Sequence, residues 1–240
     1  MVLTVNVSKV RTQDVPGYLY YSSLTERKPA VVVLHAFNQK PEDVEYYSKG
    51  IAALGMMVLA PKYTDASDGV AVALRAIRKL KVLSGVDPER LGLFGISLGG
   101  TVSLLASTQE KVRFVVSIGG WVDLADLYKF LSKFPQGSPQ KYIADLVKST
   151  LGEPDENKEL YELASPITYV DKISGSVLLI HGTEDSMVPA SQSETLYRKL
   201  KELKYDVELH LVEGGTHTLA GMESTVLNLL SKFLKDRNIL

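Results

Sequence analysis

Short runs of consecutive apolar residues recur along the chain and alternate with stretches of helical spacing. The runs occupy 31–34, 57–60, 91–94, 114–118 and 177–180. Four or five apolar residues without alternation predict strands covered on both faces, as in a parallel sheet. A sixth run, 207–212, mostly alternates, so one of its faces meets water and it belongs at or near a sheet edge. Two N-terminal pieces, 3–7 and 17–21, read as antiparallel strands added to one edge.

Helices are predicted between these runs. Residues 41–54 open with Pro41, Glu42 and Asp43, favourable first-turn chemistry, and stop at Gly55. Residues 68–83 carry Val70, Val72, Ala73, Leu74, Ile77, Leu80 and Val82 at helical spacing; 189–203 start at Pro189 and repeat Leu196, Tyr197, Leu200 and Leu203. Residues 219–236 repeat Leu219, Met222, Val226, Leu229, Leu230 and Phe233. Strand, helix, strand, helix predicts an α/β fold: an open, doubly wound, mostly parallel sheet with helices on both faces. The interval between 118 and 177 breaks this rhythm and is longer than a simple crossover needs. It predicts at least two short helices, one with Leu124, Leu127, Tyr128 and Leu131 on one face, the next after Ser138-Pro139 with Tyr142, Ile143, Leu146 and Val147. It reads as a small helical lid, about 121–167, inserted into a single domain spanning 1–240.

Composition narrows the function classes. The chain has 240 residues, 27 basic and 28 acidic, for a net charge of −1, which provides no basic stripe for a nucleic-acid partner. No apolar run approaches the roughly 20 residues that span a bilayer, and the N-terminus lacks the marks of a signal peptide, so a cytoplasmic address with no membrane partner is expected. Cysteine is absent, which excludes disulfides, thiolate metal sites and a cysteine nucleophile.

The chemistry gathers where strands end. Gly95-Ile96-Ser97-Leu98-Gly99 follows a buried strand and opens a helix of small and apolar residues. A serine turned sharply between strand and helix is crowded, and glycines at 95 and 99 relieve that crowding. Ser97 is the candidate nucleophile, and a hydroxyl needs a base to take its proton. His217, in Glu213-Gly214-Gly215-Thr216-His217, is the candidate, with a flexible glycine pair to let the ring swing; His210 lies beside Glu208 in a strand, and His35 and His181 close strands. The acid that orients the base is Asp185, with Glu184 as the alternative. Nucleophile, acid and base thus occur in the order Ser97, Asp185, His217. The oxyanion of a tetrahedral intermediate needs donors, for which the Leu98 N–H and the Phe37 N–H are the candidates, with Ala36 as the alternative to Phe37.

The segments 33–37, 59–63, 95–100, 181–185 and 214–217 resemble the α/β-hydrolase superfamily, and within it the dienelactone hydrolase-like and prolyl oligopeptidase-like serine esterases. The likeness extends from about residue 30 to 234. It departs from dienelactone hydrolase itself, which has cysteine where Ser97 stands and glutamate where Ala36 stands. The resemblance implies a carboxylic ester hydrolase needing no cofactor and no metal. Its substrate would be a small-molecule ester of short to medium acyl chain, with Trp121, Val122, Phe130, Phe134, Tyr142 and Met187 as pocket candidates. The rivals are hydrolysis of small peptides or acylated amino acids, of thioesters or of lactones, a non-catalytic binding module, and a metal-dependent hydrolase using His35, His181, His217 and Asp185. The oligomeric state stays open; the alternating run at 207–212 could form a homodimer edge.

Overall fold

The computed structural model describes residues 6–23 and 26–240. Eight strands form one sheet: β1 (Ser8–Thr12), β2 (Gly17–Tyr21), β3 (Lys28–Leu34), β4 (Met57–Pro61), β5 (Val86–Ile96), β6 (Phe114–Ile118), β7 (Ser176–Gly182) and β8 (Val207–Val212). Their order is β1-β2-β4-β3-β5-β6-β7-β8. The first two strands run antiparallel, and every pairing from β4 to β8 is parallel. The doubly wound sheet expected from the alternation of patterns is present, with β8 as one edge.

Alternate side chains of each central strand enter different cores. Ala30, Val32 and Leu34 of β3 pack with α2 (Ala66–Val82), α3 (Leu98–Ser107) and α7 (Ser191–Glu202). Val31 and Val33 pack on the other face with α1 (Glu45–Ala53) and α8 (Glu223–Lys235). This two-faced burial is why these strands read as unbroken apolar runs. Leu196 and Leu200 on α7 are fully buried, each stabilising the fold by roughly 1.5–3 kcal/mol. Among the described residues, no helix is long and apolar enough to cross a membrane.

Several details differ from the sequence reading, among them the opening of the expected helix 41–54, where Pro41–Val44 is a 3-10 turn, and the exposure of Leu203 and Tyr142. Residues 3–5 of the first expected strand lie outside the described residues; Asn6 and Val7 are not in a strand, and the edge strand is Ser8–Thr12. That strand is mostly exposed and is held by its pairing with β2, so its hydrophobicity gave no signal. Val82, counted among the apolar face of α2, is 85% exposed at the helix end. Helix α8 begins at Glu223, not at 219, because Leu219 (φ 54°) and Gly221 (φ 80°) are left-handed and break a helix there.

Between β6 and β7 run α4 (Leu124–Leu131), α5 (Pro139–Leu151), α6 (Lys158–Leu163) and a 3-10 segment, Pro166–Lys172. Ser138 caps α5, accepting from the Lys141 N–H, and Pro139 takes the first helical position. Leu124, Leu127, Tyr128 and Leu131 are buried as their spacing predicts, with Ala144, Tyr161 and Val188. Val188 comes from the loop after β7, so the small core of these helices is continuous with that loop.

Candidate active site

The Ser97 turn is built by close backbone approach. Its φ of 54° and ψ of −120° are a strained conformation for a residue with a side chain. The turn is pinned by the Ser97 N–H, which donates to the Ile118 carbonyl at 2.7 Å. A Cβ at Gly95 would lie 1.9 Å from the Gly99 carbonyl oxygen, and one at Gly99 would lie 2.2 Å from that of Leu34. Only glycine fits either place, as the sequence pattern implied. Ser97 is 8% exposed at the end of β5, where α3 begins.

Ser97 Oγ stands 2.7 Å from His217 Nε2, and His217 Nδ1 stands 2.8 Å from Asp185 Oδ2. Oδ1 of the same carboxylate accepts from the Met187 and Val188 N–H groups at 2.9 and 2.8 Å. Burial alone would raise the Asp185 carboxyl. The hydrogen-bond donors around it, His181, His217 and Val188, outweigh burial and hold it well below the usual carboxylate range. Asp185, not the exposed Glu184, is therefore the carboxylate beside the base. An ionised acid at Nδ1 places the ring hydrogen there and leaves the Nε2 lone pair facing Ser97, an arrangement able to take a proton from the hydroxyl.

The loop carrying His217 is held by packing, not left free to swing. A Cβ at Gly182 would lie 2.1 Å from the Gly215 carbonyl oxygen, so the glycines let two loops touch. The Glu184 N–H donates to that carbonyl at 2.9 Å, and Leu219 anchors the loop in the core with no exposed surface.

On the other side of Ser97, the loop after β3 is braced. Tyr63 donates its hydroxyl to the His35 carbonyl, and its ring stacks on the His35 ring with centroids 4.0 Å apart. The Ala36 N–H is taken by Gln39 Oε1 at 3.1 Å. Among the described residues, the Phe37 and Leu98 N–H groups have no such protein acceptor.

The pocket candidates separate. Tyr142 and Met187 line one cavity of about 420 Å³ with Gln136, Ser138, Pro139 and Ile143. Val122 is buried, and its N–H donates to Gln192 Oε1; it borders a different cavity of about 410 Å³ beside Asp123 and Asp126. Trp121 packs against the cores on both sides, and its Nε1 donates to the Ala164 carbonyl. Phe130 and Phe134 meet edge to face, 5.3 Å between centroids. His210 pairs with Glu208 at 3.1 Å, away from this chemistry.

Sequence reasoning missed three contributors. His181 touches Asp185, a contact its spacing four residues earlier could have suggested. The pair Gly119-Gly120 packs against the His217 backbone and Ser117, and Gln192 reaches across from α7 to the start of the inserted helices.

A profile of the prolyl oligopeptidase family matches residues 59–236. Among curated proteins, the chain is 28% identical over 200 residues to the uncharacterized peptidase YtmA of Bacillus subtilis, covering 78% of this chain and 74% of that one. An acetyl ester-xyloside bifunctional hydrolase from Caldicellulosiruptor lactoaceticus superposes over 100% of both chains, with a TM-score of 0.77 and 20% identity. A puromycin-hydrolyzing peptidase of Mycobacterium tuberculosis superposes with a TM-score of 0.74 and 22% identity, over 95% of this chain but only 39% of its own length. At such identities these two structures speak for the fold alone. On the family match and the site geometry together, the chain belongs to the prolyl oligopeptidase family and is a serine hydrolase of the α/β-hydrolase superfamily.

Proposed function

We propose that the protein hydrolyses carboxylic esters of short to medium acyl chain through an acyl-enzyme on Ser97. The observation that carries this reading is the unbroken hydrogen-bond chain from Ser97 Oγ through His217 to Asp185, at 2.7 and 2.8 Å. Ser97 Oγ attacks the carbonyl carbon while His217 Nε2 takes its proton. The oxyanion that forms is met by the N–H groups of Leu98 and Phe37. His217 returns the proton to the departing alkoxide, and water then repeats the sequence on the acyl-enzyme. Asp185 holds the ring tautomer and stabilises the imidazolium.

The substrate class is read from the cavity between the inserted helices and the acid loop, which Met187, whose N–H meets Asp185, links to the Ser97 site. Tyr142, Ile143, Pro139 and Met187 give it an apolar wall, and its volume of about 420 Å³ suits a small group. Segment 121–167 then acts as a lid that shapes the acyl or alcohol pocket. A p-nitrophenyl ester series tests this: turnover falling as the acyl chain lengthens beyond medium supports the reading, and best turnover on long chains sinks it. Hydrolysis of acylated amino acids or small peptides is the second reading, favoured by the likeness to YtmA, named as a peptidase. An N-acetylaminoacyl p-nitroanilide with a kcat/KM above that of p-nitrophenyl butyrate would establish it in place of the first. Thioesters and lactones would use the same groups.

A further inference from the structure

Two buried polar side chains lie behind the Asp185 carboxylate and take no part in the proton relay. His181 in β7 has no exposed surface, and Ser193 in the first turn of α7 is 1% exposed. His181 Nε2 is 2.8 Å from the Val188 carbonyl oxygen and 3.1 Å from Asp185 Oδ2. A carbonyl only accepts, so Nε2 carries the hydrogen, donates it to Val188 and turns its positive edge toward the carboxylate oxygen. Nδ1 is then bare, and Ser193 Oγ, 2.7 Å away, donates its hydroxyl hydrogen to it.

The carboxylate is thereby held at every side. Oδ1 takes two backbone N–H groups, and Oδ2 takes the imidazole N–H of His217 while His181 Nε2 stands 3.1 Å from it. The second imidazole restrains rotation of the carboxylate and leaves one direction of Oδ2 for His217. It also draws charge from the oxygen that would stabilise the His217 imidazolium. The groups facing the pair are the Ser97 hydroxyl from the turn between β5 and α3, Gly119 from beyond β6, Ser193 from α7 and the N–H groups of Met187 and Val188. None of these titrates in the working range, and the Glu184 side chain beside them is exposed.

We propose that His181 is a positioning residue for the Asp185–His217 pair, with Ser193 holding its tautomer, and that it sets both the angle of the carboxylate and the basicity of His217. This rests on the Ser97–His217–Asp185 reading above, so the test separates the two. Wild type, His181→Phe, His181→Gln and Ser193→Ala are labelled with a fluorophosphonate, and their p-nitrophenyl butyrate kinetics are followed from about pH 5 to about pH 9. Label on Ser97 is expected throughout. His181→Phe is expected to lower kcat about tenfold or more with little change in KM, since a small displacement of the reacting groups is costly. Its acid limb should move to higher pH, because a carboxylate with one donor fewer holds the imidazolium proton more tightly. His181→Gln, which keeps a donor, should recover most of kcat, and Ser193→Ala should shift the acid limb in the same direction by less. The downfield proton resonance of His217 Nδ1–H should move in His181→Phe and return in His181→Gln. Ester turnover without label on wild-type Ser97 overturns the relay and this proposal with it. Label on Ser97 with kcat and acid limb unchanged in His181→Phe overturns the positioning role alone. Should His181→Phe fail to fold, an unmoved acid limb in Ser193→Ala overturns it equally.

Discussion

Gly119 lies directly against His217: a Cβ at that position would stand 2.7 Å from the His217 carbonyl oxygen, with Asp185 Oδ2 at 3.4 Å and His217 Nδ1 at 3.6 Å. The residue is left-handed, with a φ of 58°, and its N–H donates to the Ile180 carbonyl. Two requirements thus fall on one glycine, an unusual φ and room for a neighbouring loop. Gly119→Ala is predicted to destabilise the fold by about 1–3 kcal/mol and to lower kcat by at least about tenfold, since a displacement near the reacting groups is costly. Urea unfolding and ester kinetics of the variant check both.

The acid loop has a defined pH signature. The folded Asp185 carboxyl lies below its ordinary value of 3.8, so the unfolded chain takes up this proton first as pH falls. Its contribution to stability is fully present above that ordinary value and is lost as pH drops through the folded one. The stability difference between wild type and Asp185→Asn is predicted to hold from neutral pH into mild acid and to close only under strong acid. Urea midpoints measured across that range check the sign; a difference already gone in mild acid would contradict it.

Gln192 fastens the inserted helices to the sheet layer. Its Oε1 accepts from the Val122 and Asp123 N–H groups at 2.8 and 2.9 Å, and its Nε2 donates to Asp126 at 2.8 Å. Gln192→Leu removes the acceptor for both N–H groups, and on the order of 2 kcal/mol of stability should be lost. Amide hydrogen exchange should quicken across residues 122–131 and not in α2.

Tyr63→Phe tests the brace behind the β3 loop. Tyr63 is 3% exposed and donates to the His35 carbonyl, two residues before the proposed Phe37 donor. Without the hydroxyl that carbonyl loses its partner and the loop its anchor. A fall in kcat of about tenfold is predicted, less than the ~10²–10³ of losing an oxyanion donor outright, with KM nearly unchanged.

What the sequence displayed and what it hid follow from burial and from distance along the chain. Val31, Val33, Leu178 and Ile180 face one core while their neighbours face the other, so unbroken apolar runs announced the sheet. Ser97 and Asp185 follow such runs and His217 follows the alternating edge strand, which made the candidate site readable although Ser97 and His217 are 120 residues apart. The strand Ser8–Thr12 was invisible because its signal is backbone pairing with β2, not a pattern of side chains. Leu219 misled because an apolar residue at helical spacing serves instead as a loop anchor, and only its φ of 54° reveals this. Gln192, and all of the His181 role beyond its four-residue spacing from Asp185, escaped the sequence for a related reason. Their partners, Val122, Asp123 and Asp126 for the one, Asp185 and Val188 for the other, are set by how loops meet in space.

The central claim is that Ser97 carries the acyl group. Hydrolysis of p-nitrophenyl acetate and butyrate by wild type and Ser97→Ala, with EDTA present, tests it most directly. Turnover in the wild type that is indifferent to the chelator and abolished by the substitution is the predicted result; turnover that survives in Ser97→Ala would contradict it.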